Sequence, residues 1–441
     1  MRYPDAVAYL DRHVNFEASP AVAGRIEGLS LDRIERLLAT LGDPHRSYPV
    51  IHITGTNGKG SVARLVTQLL VESGLSVGTY TSPHLERVNE RLAWNGEPIA
   101  DDELARVLGD LEAIEALSGV DPSYFELLTT AAFAWFSELA VDVAVIEVGL
   151  LGRWDATNVV DGDVAVITNI GGDHTDFALG WRESVAREKA GIITPGSAVV
   201  VGECDPTLLE IFEDTAALAG GTLWTAGREL ALVADEVAVG GRVIGIRTPN
   251  GRLDDVFVSL HGEHQAANAL LAVAAVEAFF GRALDPAVVT RALGSVTVPG
   301  RLEVLRRHPL VVVDGAHNAE GAAALRIALS DFGAGGRGTL VLGVLRGRDP
   351  ARLLDALDVA SWQRVIATTA PSPRGLPAID LASIAAAAGS TVVEVEPDPI
   401  AAVRRGVSKA GEDDLVLVTG SLYLVGAARA AAGLVGDAPS T

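Results

Sequence analysis

Short apolar runs punctuate the first part of the chain at intervals that leave room for a helix between them. Val50-Ile51-His52-Ile53, Val77-Gly78-Thr79-Tyr80, Val143-Ala144-Val145-Ile146, Val164-Ala165-Val166-Ile167 and Ala198-Val199-Val200-Val201 are nearly continuous in apolar residues rather than alternating with polar ones. Strands of that kind are buried on both faces, the pattern of a mostly parallel sheet covered by helices on either side. The stretches between supply the helices. Leu31, Ile34, Leu37, Leu38 and Leu41 recur at helical spacing behind Ser30, a capping residue, and Gly42-Asp43-Pro44 stops the run. Val62 to Leu70 repeats the rhythm up to Gly74, and Ala266 to Phe280 is Ala-rich and helical.

A second series begins after Val296-Thr297-Val298-Pro299-Gly300-Arg301, with Leu310-Val311-Val312-Val313, Leu340-Val341-Leu342, Val365-Ile366-Ala367, Thr391-Val392-Val393 and Leu415-Val416-Leu417-Val418. The pattern predicts an α/β protein of two units: a phosphate-loop-containing, mostly parallel sheet over 1–296, and a smaller Rossmann-like α/β unit over 297–436. The tail 437–441 is expected to be disordered. A length of 441 residues agrees with more than one domain. Ligands of such sheets collect at the carboxyl ends of the strands, so the residues after each apolar run are where chemistry is expected.

The first of these ends carries Thr54-Gly55-Thr56-Asn57-Gly58-Lys59-Gly60-Ser61. Its spacing departs from the common nucleotide-binding signature, because Gly55 stands three positions ahead of Gly58 and Gly60 intervenes before Ser61. A structural turn is the alternative reading. The physics of a phosphate cradle is nevertheless present: glycines let backbone N–H groups converge, a helix N-terminus follows, and Lys59 adds a point charge. Lysine occurs only at Lys59, Lys189 and Lys409, with arginine supplying the other cations. Lys59 and Lys189 therefore read as positions that need a primary amine. Glu147 and Asp173-His174 each follow a strand run, where a carboxylate or imidazole could hold Mg²⁺ or be a solvated loop residue.

Charge sharpens this. The formal net charge of -22 argues against a nucleic-acid partner, and it requires any ATP site to be made locally positive by backbone N–H groups, Arg, Lys and metal. The single cysteine, Cys204, excludes an intramolecular disulfide and reads as a small buried side chain in a reducing compartment. No signal-peptide layout opens the chain and no apolar run is long enough for a membrane span. The expectation is a cytoplasmic protein, a monomer, without membrane attachment.

The motifs in order identify a resemblance. Ile51 to Ser61, Thr81-Ser82-Pro83-His84-Leu85, Glu147-Val148-Gly149, Gly152-Arg153-Trp154-Asp155-Ala156-Thr157-Asn158, Asp173-His174, Arg187 to Ile192, Gly262-Glu263-His264-Gln265 with Asn268, Pro299-Gly300-Arg301, Asp314 to Asn318 and Gly420-Ser421-Leu422-Tyr423 span nearly the whole chain. Together they resemble the folylpolyglutamate synthase/dihydrofolate synthase family of the Mur ligase superfamily. That resemblance implies an ATP-dependent ligase joining L-glutamate to a folate or dihydropteroate carboxylate. Asn57, Gly58, Lys59, Gly60 and Ser61 would cradle the phosphates, with Asn268 at adenine, Arg301 at the phosphates and Asp314 at the ribose. Ser82, Glu147 and His174 would hold magnesium, and Lys189, carboxylated on its amine, would serve a second metal. The acceptor pocket would comprise Gly28, Leu29, Ser30, Phe125, Trp154 and Asp155, with His317 and Ser421 near the incoming glutamate. Lys59, Lys189, His317 and Asp314 are the expected catalytic residues. For Phe125 and Trp154, core packing is the alternative to stacking on a flat heterocycle.

Three positions depart from the family pattern. Leu151-Gly152-Arg153 stands for Gly-Gly-Arg, Ala319 for the proline after His317-Asn318, and Gly347-Arg348-Asp349 for Asp-Lys-Asp. Leu151 is expected to reshape the acceptor and metal site, since a side chain falls where close backbone approach was required. It also raises the reading of a non-catalytic ATP-binding paralogue. A Mur-type ligase with another acceptor fits less well, because Met1 to Tyr48 is too short for the additional N-terminal domain of such enzymes.

Overall fold

The computed structural model describes residues 1–16, 30–172, 179–332 and 338–432. Gly28, Leu29, Asp173, His174 and the tail 437–441 lie outside the described residues. The first unit is an eight-stranded sheet made of β1 (Val50–Thr54), β2 (Val77–Tyr80), β3 (Leu92–Trp94), β4 (Glu97–Pro98), β5 (Val143–Glu147), β6 (Val164–Ile167), β7 (Ala198–Val201) and β8 (Thr222–Thr225). They lie in the order β4-β3-β2-β5-β1-β6-β7-β8, parallel except for the β3 and β4 pairings. All five runs predicted as strands are present.

The continuous apolar strands divide their side chains between two cores. Ile51, Ile53, Val143 and Val145 pack with Val62, Leu65 and Leu69 of the helix Lys59–Glu72 and with the helix Glu263–Phe280. Val50, Ala144 and Ile146 point the other way, into the helices Asp101–Ser118 and Tyr124–Glu138. This period-two division places β1 in the middle of the sheet with its carboxyl end, the phosphate loop, at the centre of one edge. The helix predicted behind Ser30 runs Asp32–Thr40, and the Ser30 hydroxyl accepts the N–H of Asp32 at 3.1 Å.

A three-stranded antiparallel meander was not foreseen: β9 (Ala231–Ala238), β10 (Gly241–Thr248) and β11 (Gly251–Val258), in the order β11-β10-β9. Its charged residues, including Asp235, Arg242 and Asp254, dilute the apolar signal. Ile244, Ile246, Val256 and Val258 cover the far side of the helix Glu263–Phe280.

Between Ser295 and Glu303 the chain passes to a second sheet of β12 (Glu303–Arg307), β13 (Leu310–Val313), β14 (Gly338–Leu342), β15 (Arg364–Ala367), β16 (Val393–Val395) and β17 (Leu415–Thr419). Its order is β12-β13-β17-β14-β15-β16, parallel apart from β12. The run predicted at 391–393 begins two residues later, because Ser390 and Thr391 finish the turn after the helix Ala378–Ala387. Cys204 corrects the reading of a buried side chain. It is exposed on the connection after β7, with its sulfur near the carbonyls of Gly202 and Ala226. Among the described residues no helix is long and apolar enough to cross a membrane.

The two units meet through polar contacts of differing burial. Arg242 of β10, 4% exposed, donates to Asp235 at 2.5 Å and to Asp331 of the second unit at 2.8 Å, and Asp331 also accepts the N–H of Gly262 at 2.9 Å. Arg429 pairs with Glu86 of the first unit at 2.7 Å and with Glu303. Removing one partner of a buried pair leaves an uncompensated charge. Asp331→Ala is therefore expected to lower unfolding stability by about 3 kcal/mol, whereas Glu86→Ala, at an exposed pair, costs under about 1 kcal/mol. Urea midpoints of the two variants measure this, and an equal loss for both contradicts it.

Candidate active site

The phosphate loop leaves β1 at Thr54 and enters the helix Lys59–Glu72 at once. Two of its glycines are sterically required. A Cβ at Gly55, where φ is +149°, would lie 1.7 Å from Thr168 Oγ1, and one at Gly58, where φ is +85°, would lie 2.6 Å from Asn268 Oδ1. Asn169 fixes the loop from β6, its Oδ1 accepting the N–H groups of Thr56 at 3.1 Å and Asn57 at 2.9 Å. Lys59 Nζ donates to the carbonyls of Gly55 at 3.0 Å and Thr56 at 3.4 Å, curled against the loop it serves. Burial lowers its pKa, and Glu147 acts in the opposite direction. Ser61 Oγ accepts from Gln265, which in turn accepts from Asn268. Asn268 thus sits against Gly58 on the loop itself.

Glu147 ends β5, directly beside Ile53 of β1. It is 4% exposed, and its Oε2 accepts the backbone N–H of Ser82 at 3.1 Å. Burial raises the pKa of its carboxyl group, while Lys59, the Ser82 N–H and Arg301 lower it. A Cβ on Gly60 would lie 3.4 Å from the same oxygen, so the carboxylate faces the start of the phosphate helix. Glu147 and the Ser82 hydroxyl are hard oxygen donors, and a carboxylate held beside a phosphate cradle fits magnesium, which takes few protein ligands. Among the described residues no three His, Cys, Asp or Glu side chains cluster as a metal site.

Lys189 lies in the last turn of the helix Trp181–Ala190 and is 4% exposed. It makes no hydrogen bond or ion pair among the described residues. Burial and nearby Lys59 push its pKa well below the usual lysine value, with Asp155 opposing. The segment laid over this helix turn is Gly152-Arg153. Arg153 donates its N–H to the Glu188 carbonyl at 2.9 Å, and a Cβ on Gly152 would lie 2.6 Å from that oxygen. The close approach expected at Leu151 is made by Gly152 instead. Leu151 takes the left-handed conformation, φ +58°, that a glycine would adopt freely, and its side chain packs against the apolar cluster of Ile167, Val185 and Ala186.

A cavity of ≈ 240 Å³ runs between the units. At one end Phe125, Leu150 and Trp154 form an apolar wall, with Trp154 42% exposed and Phe125 packed so closely on Gly149 that a Cβ there would lie 2.5 Å from its ring. Asp155 closes this end. Its carboxylate accepts from the Thr157 hydroxyl at 2.6 Å, the Thr157 N–H at 3.0 Å and the Leu150 N–H at 2.7 Å, while His52 Nε2 lies 2.9 Å from that hydroxyl. The hydroxyl donates to Asp155 and so accepts from His52. At the other end stand His317, Ser421 and Tyr423 from the second unit. His317 Nδ1 donates to the Gly315 carbonyl at 2.8 Å, and burial lowers its pKa to about 4. The ring is therefore neutral near pH 7, with Nε2 an acceptor.

The two oxygens of Asp314 accept the N–H groups of Ala316 at 2.8 Å and Leu302 at 2.9 Å, tying the crossing segment to β13. Arg301 reaches over Gly315, where a Cβ would lie 2.1 Å from its Nη1. Asn318 caps the helix Ala319–Ala328 and exchanges amide hydrogen bonds with Asn57 of the phosphate loop, the shorter at 3.0 Å. Ala319 fills the first helical position, where the expected proline would also fit.

Sequence reasoning missed three arginines that line the same cavity. Arg33 donates to Glu126 at 3.0 Å near the mouth. Arg348 and Arg374 stand together in the second unit, and burial, with Arg374 alongside, lowers the Arg348 pKa to about 10. In the sequence Gly347-Arg348-Asp349 stands out only as a departure from the family pattern, and nothing marks Arg374 in Pro373-Arg374-Gly375.

The fold and this site together define a Mur-type ligase. The Mur ligase middle domain matches residues 111–276, and the Mur ligase glutamate ligase domain matches residues 300–422. A dihydrofolate synthase/folylpolyglutamate synthase of Mycobacterium tuberculosis is 39% identical over 91% of this chain and 89% of its own length. One from Bacillus subtilis is 32% identical over 96% and 97%. A solved M. tuberculosis folylpolyglutamate synthase complexed with ADP and AMPPCP superposes with a TM-score of 0.90 at 37% identity, over 99% of both chains. The bifunctional Yersinia pestis protein, complexed with AMPPNP and Mn ion, gives a TM-score of 0.83 at 30% identity, over 98% of both chains. The chain belongs to the dihydrofolate synthase/folylpolyglutamate synthase family.

The contrast between adjacent residues is testable. Gly152→Ala must displace the helix turn that carries Lys189 and is expected to cost about 1–3 kcal/mol. Leu151→Gly trades left-handed strain against apolar contact and should change stability by less than about 1 kcal/mol. A Leu151→Gly loss as large as that of Gly152→Ala, measured by urea unfolding, contradicts this account.

Proposed function

We propose that this ligase joins the amine of L-glutamate to the free carboxylate of dihydropteroate or a reduced folate, through an acyl phosphate formed from ATP. As a member of its family the chain is an ATP-dependent ligase of folate metabolism. The observation that carries the acceptor assignment is the cavity itself: an aromatic and apolar end suited to a flat heterocycle, and a cationic end holding Arg348 and Arg374. Unit 1–296 would bind ATP and acceptor, and unit 297–436 the glutamate. We take the working protein to be a cytoplasmic monomer, with ATP, L-glutamate and the acceptor as its partners.

In this reading the N–H groups of Asn57 to Ser61 hold the phosphates, and Asn268, Arg301 and Asp314 bound the nucleotide. Lys59 exchanges its loop carbonyls for phosphate oxygens. An acceptor carboxylate oxygen attacks the γ-phosphorus, the P–O bond to ADP breaks, and an acyl phosphate results. The glutamate nitrogen then forms the C–N bond as the C–O bond to phosphate breaks. His317, neutral, would take the amine proton, and Ser421 would position the amino acid. Phe125, Trp154, Asp155 and Ser30 hold the acceptor, joined by Gly28 and Leu29. Magnesium, when bound, neutralises phosphate charge; Ser82, Glu147 and His174 would hold one ion and a carboxylated Lys189 a second.

Lys189 suits that modification because burial favours its uncharged amine, the form that adds carbon dioxide and releases a proton to become a carbamate. Phosphate release should require ATP, Mg²⁺, L-glutamate and a folate acceptor together; release that ignores the acceptor contradicts the ligase reading for this chain. Lys189→Arg is expected to lower turnover by about 100-fold or more and to abolish a ¹³C carbamate signal seen with labelled bicarbonate. Full turnover in that variant would remove the carbamate from the mechanism.

A further inference from the structure

A second cavity, of ≈ 280 Å³, shares Ser82, Pro83 and Leu422 with the acceptor cavity as a common wall. Its deep end is Gly60 and the buried Glu147, the two groups that face each other where the phosphate helix begins. Its other end reaches the exposed residues Glu86 and Pro98, so it leads from the transfer site to solvent without passing through the acceptor cavity. Arg64, one turn beyond Gly60 on the same helix face, lines it, as do Arg301 and Arg429.

The formal charges lining this wall balance, Arg64, Arg301 and Arg429 against Glu86, Glu90 and Glu147, but its hydrogen bonds are unevenly shared. Glu90 spends its carboxylate on the N–H groups of Leu85, Glu86 and Arg87, at 2.7, 3.0 and 2.9 Å. Glu86 pairs with Arg429, which also holds Glu303. Glu147 accepts from Ser82 and faces the metal position. Arg64 and Arg301 are left with no hydrogen bond or ion pair among the described residues, though each is largely withdrawn from solvent. A withdrawn guanidinium with carboxylates nearby but none in hydrogen-bond contact keeps its N–H donors for an arriving anion, which suits a wall that meets one during turnover. Burial lowers the Arg64 pKa, while Glu90, Glu147 and Glu97 oppose it from a distance.

Which anion follows from the reaction, and here the argument rests on the ligase reading. When the C–N bond forms and the C–O bond breaks, orthophosphate is left between ADP on the phosphate loop and the ligated product in the acceptor cavity. We propose that the second cavity receives this orthophosphate and conducts it to solvent, with Arg64 as its principal cationic contact. Arg301 would hand it on from the transfer site. Phosphate could then leave before either organic product.

Orthophosphate titrated calorimetrically into protein saturated with ADP and Mg²⁺ should bind the wild type, bind Arg64→Gln about tenfold or more weakly, and bind Arg64→Lys at an intermediate strength. With a fluorescent phosphate sensor, Arg64→Gln should form ADP in the first turnover at the wild-type rate and release phosphate about tenfold more slowly. Failure of the wild type to bind orthophosphate, or equal binding and release by wild type and Arg64→Gln, overturns the proposal. Unchanged ATP affinity shows that the variant is folded. If the wild type forms no ADP with any folate acceptor, the ligase reading fails, and the calorimetric titration still decides whether the cavity is an anion site.

Discussion

Lys59, Glu147 and Lys189 are held within one dry region at the carboxyl edge of a parallel sheet, and the architecture around them answers the cost of keeping charges there. Burial pushes both lysines down and the carboxyl up. Each shift favours a neutral form unless an opposite charge arrives. The loop carbonyls of Gly55 and Thr56 and the Ser82 N–H compensate in part. Phosphate, magnesium and a carbamate on Lys189 would compensate fully. A site of this kind gains most from its fixed donors when a polyanion and its metal arrive together.

Because that region lies at a junction, the second unit is part of it. Asn318 meets Asn57 on the phosphate loop, and Glu320 accepts the Gly172 N–H at 3.1 Å. Leu85, three residues beyond Ser82, packs into the second unit's core, where a Cβ on Gly426 would lie 2.1 Å from the Leu85 carbonyl. A change in the relative position of the units would thus move Ser82, the phosphate loop and His317 together. Exclusion of water from an acyl phosphate and assembly of the catalytic groups then become one event rather than two.

The sequence made the buried parts legible and left the rest obscure for physical reasons. Strands apolar on every position announce a parallel sheet, so β1, β2, β5, β6 and β7 were readable, as was the chemistry at their ends. The meander β9 to β11 covers a helix with one face only and exposes the other to solvent, and its charged residues conceal the alternation. Motif spacing located Lys59, Glu147 and Lys189, but geometry was needed to show that Gly152, not Leu151, makes the close approach. Arg64, Arg348 and Arg374 carry no local signal, since an arginine on a helix or loop looks the same whether it faces water or a cavity. Cys204 was misread because burial tendency is a property of residue type, and its position after β7 is a surface connection.

The overall charge makes the placement of those arginines informative. A chain of net charge -22 repels ATP, glutamate and folate at a distance. Yet Arg33, Arg64, Arg301, Arg348 and Arg374 line two adjoining cavities between the units. An acidic exterior with a cationic interior seam discriminates against anions that cannot enter the seam. It also separates the two kinds of anion the reaction handles. On the proposed function, carboxylates would meet Arg348 and Arg374, while phosphate would meet the loop, Arg301 and Arg64 across the Ser82-Pro83 wall. Both cavities share Ser82, whose N–H is held by Glu147, and on the proposed function the bond between acceptor and phosphate would be made and broken beside that shared wall.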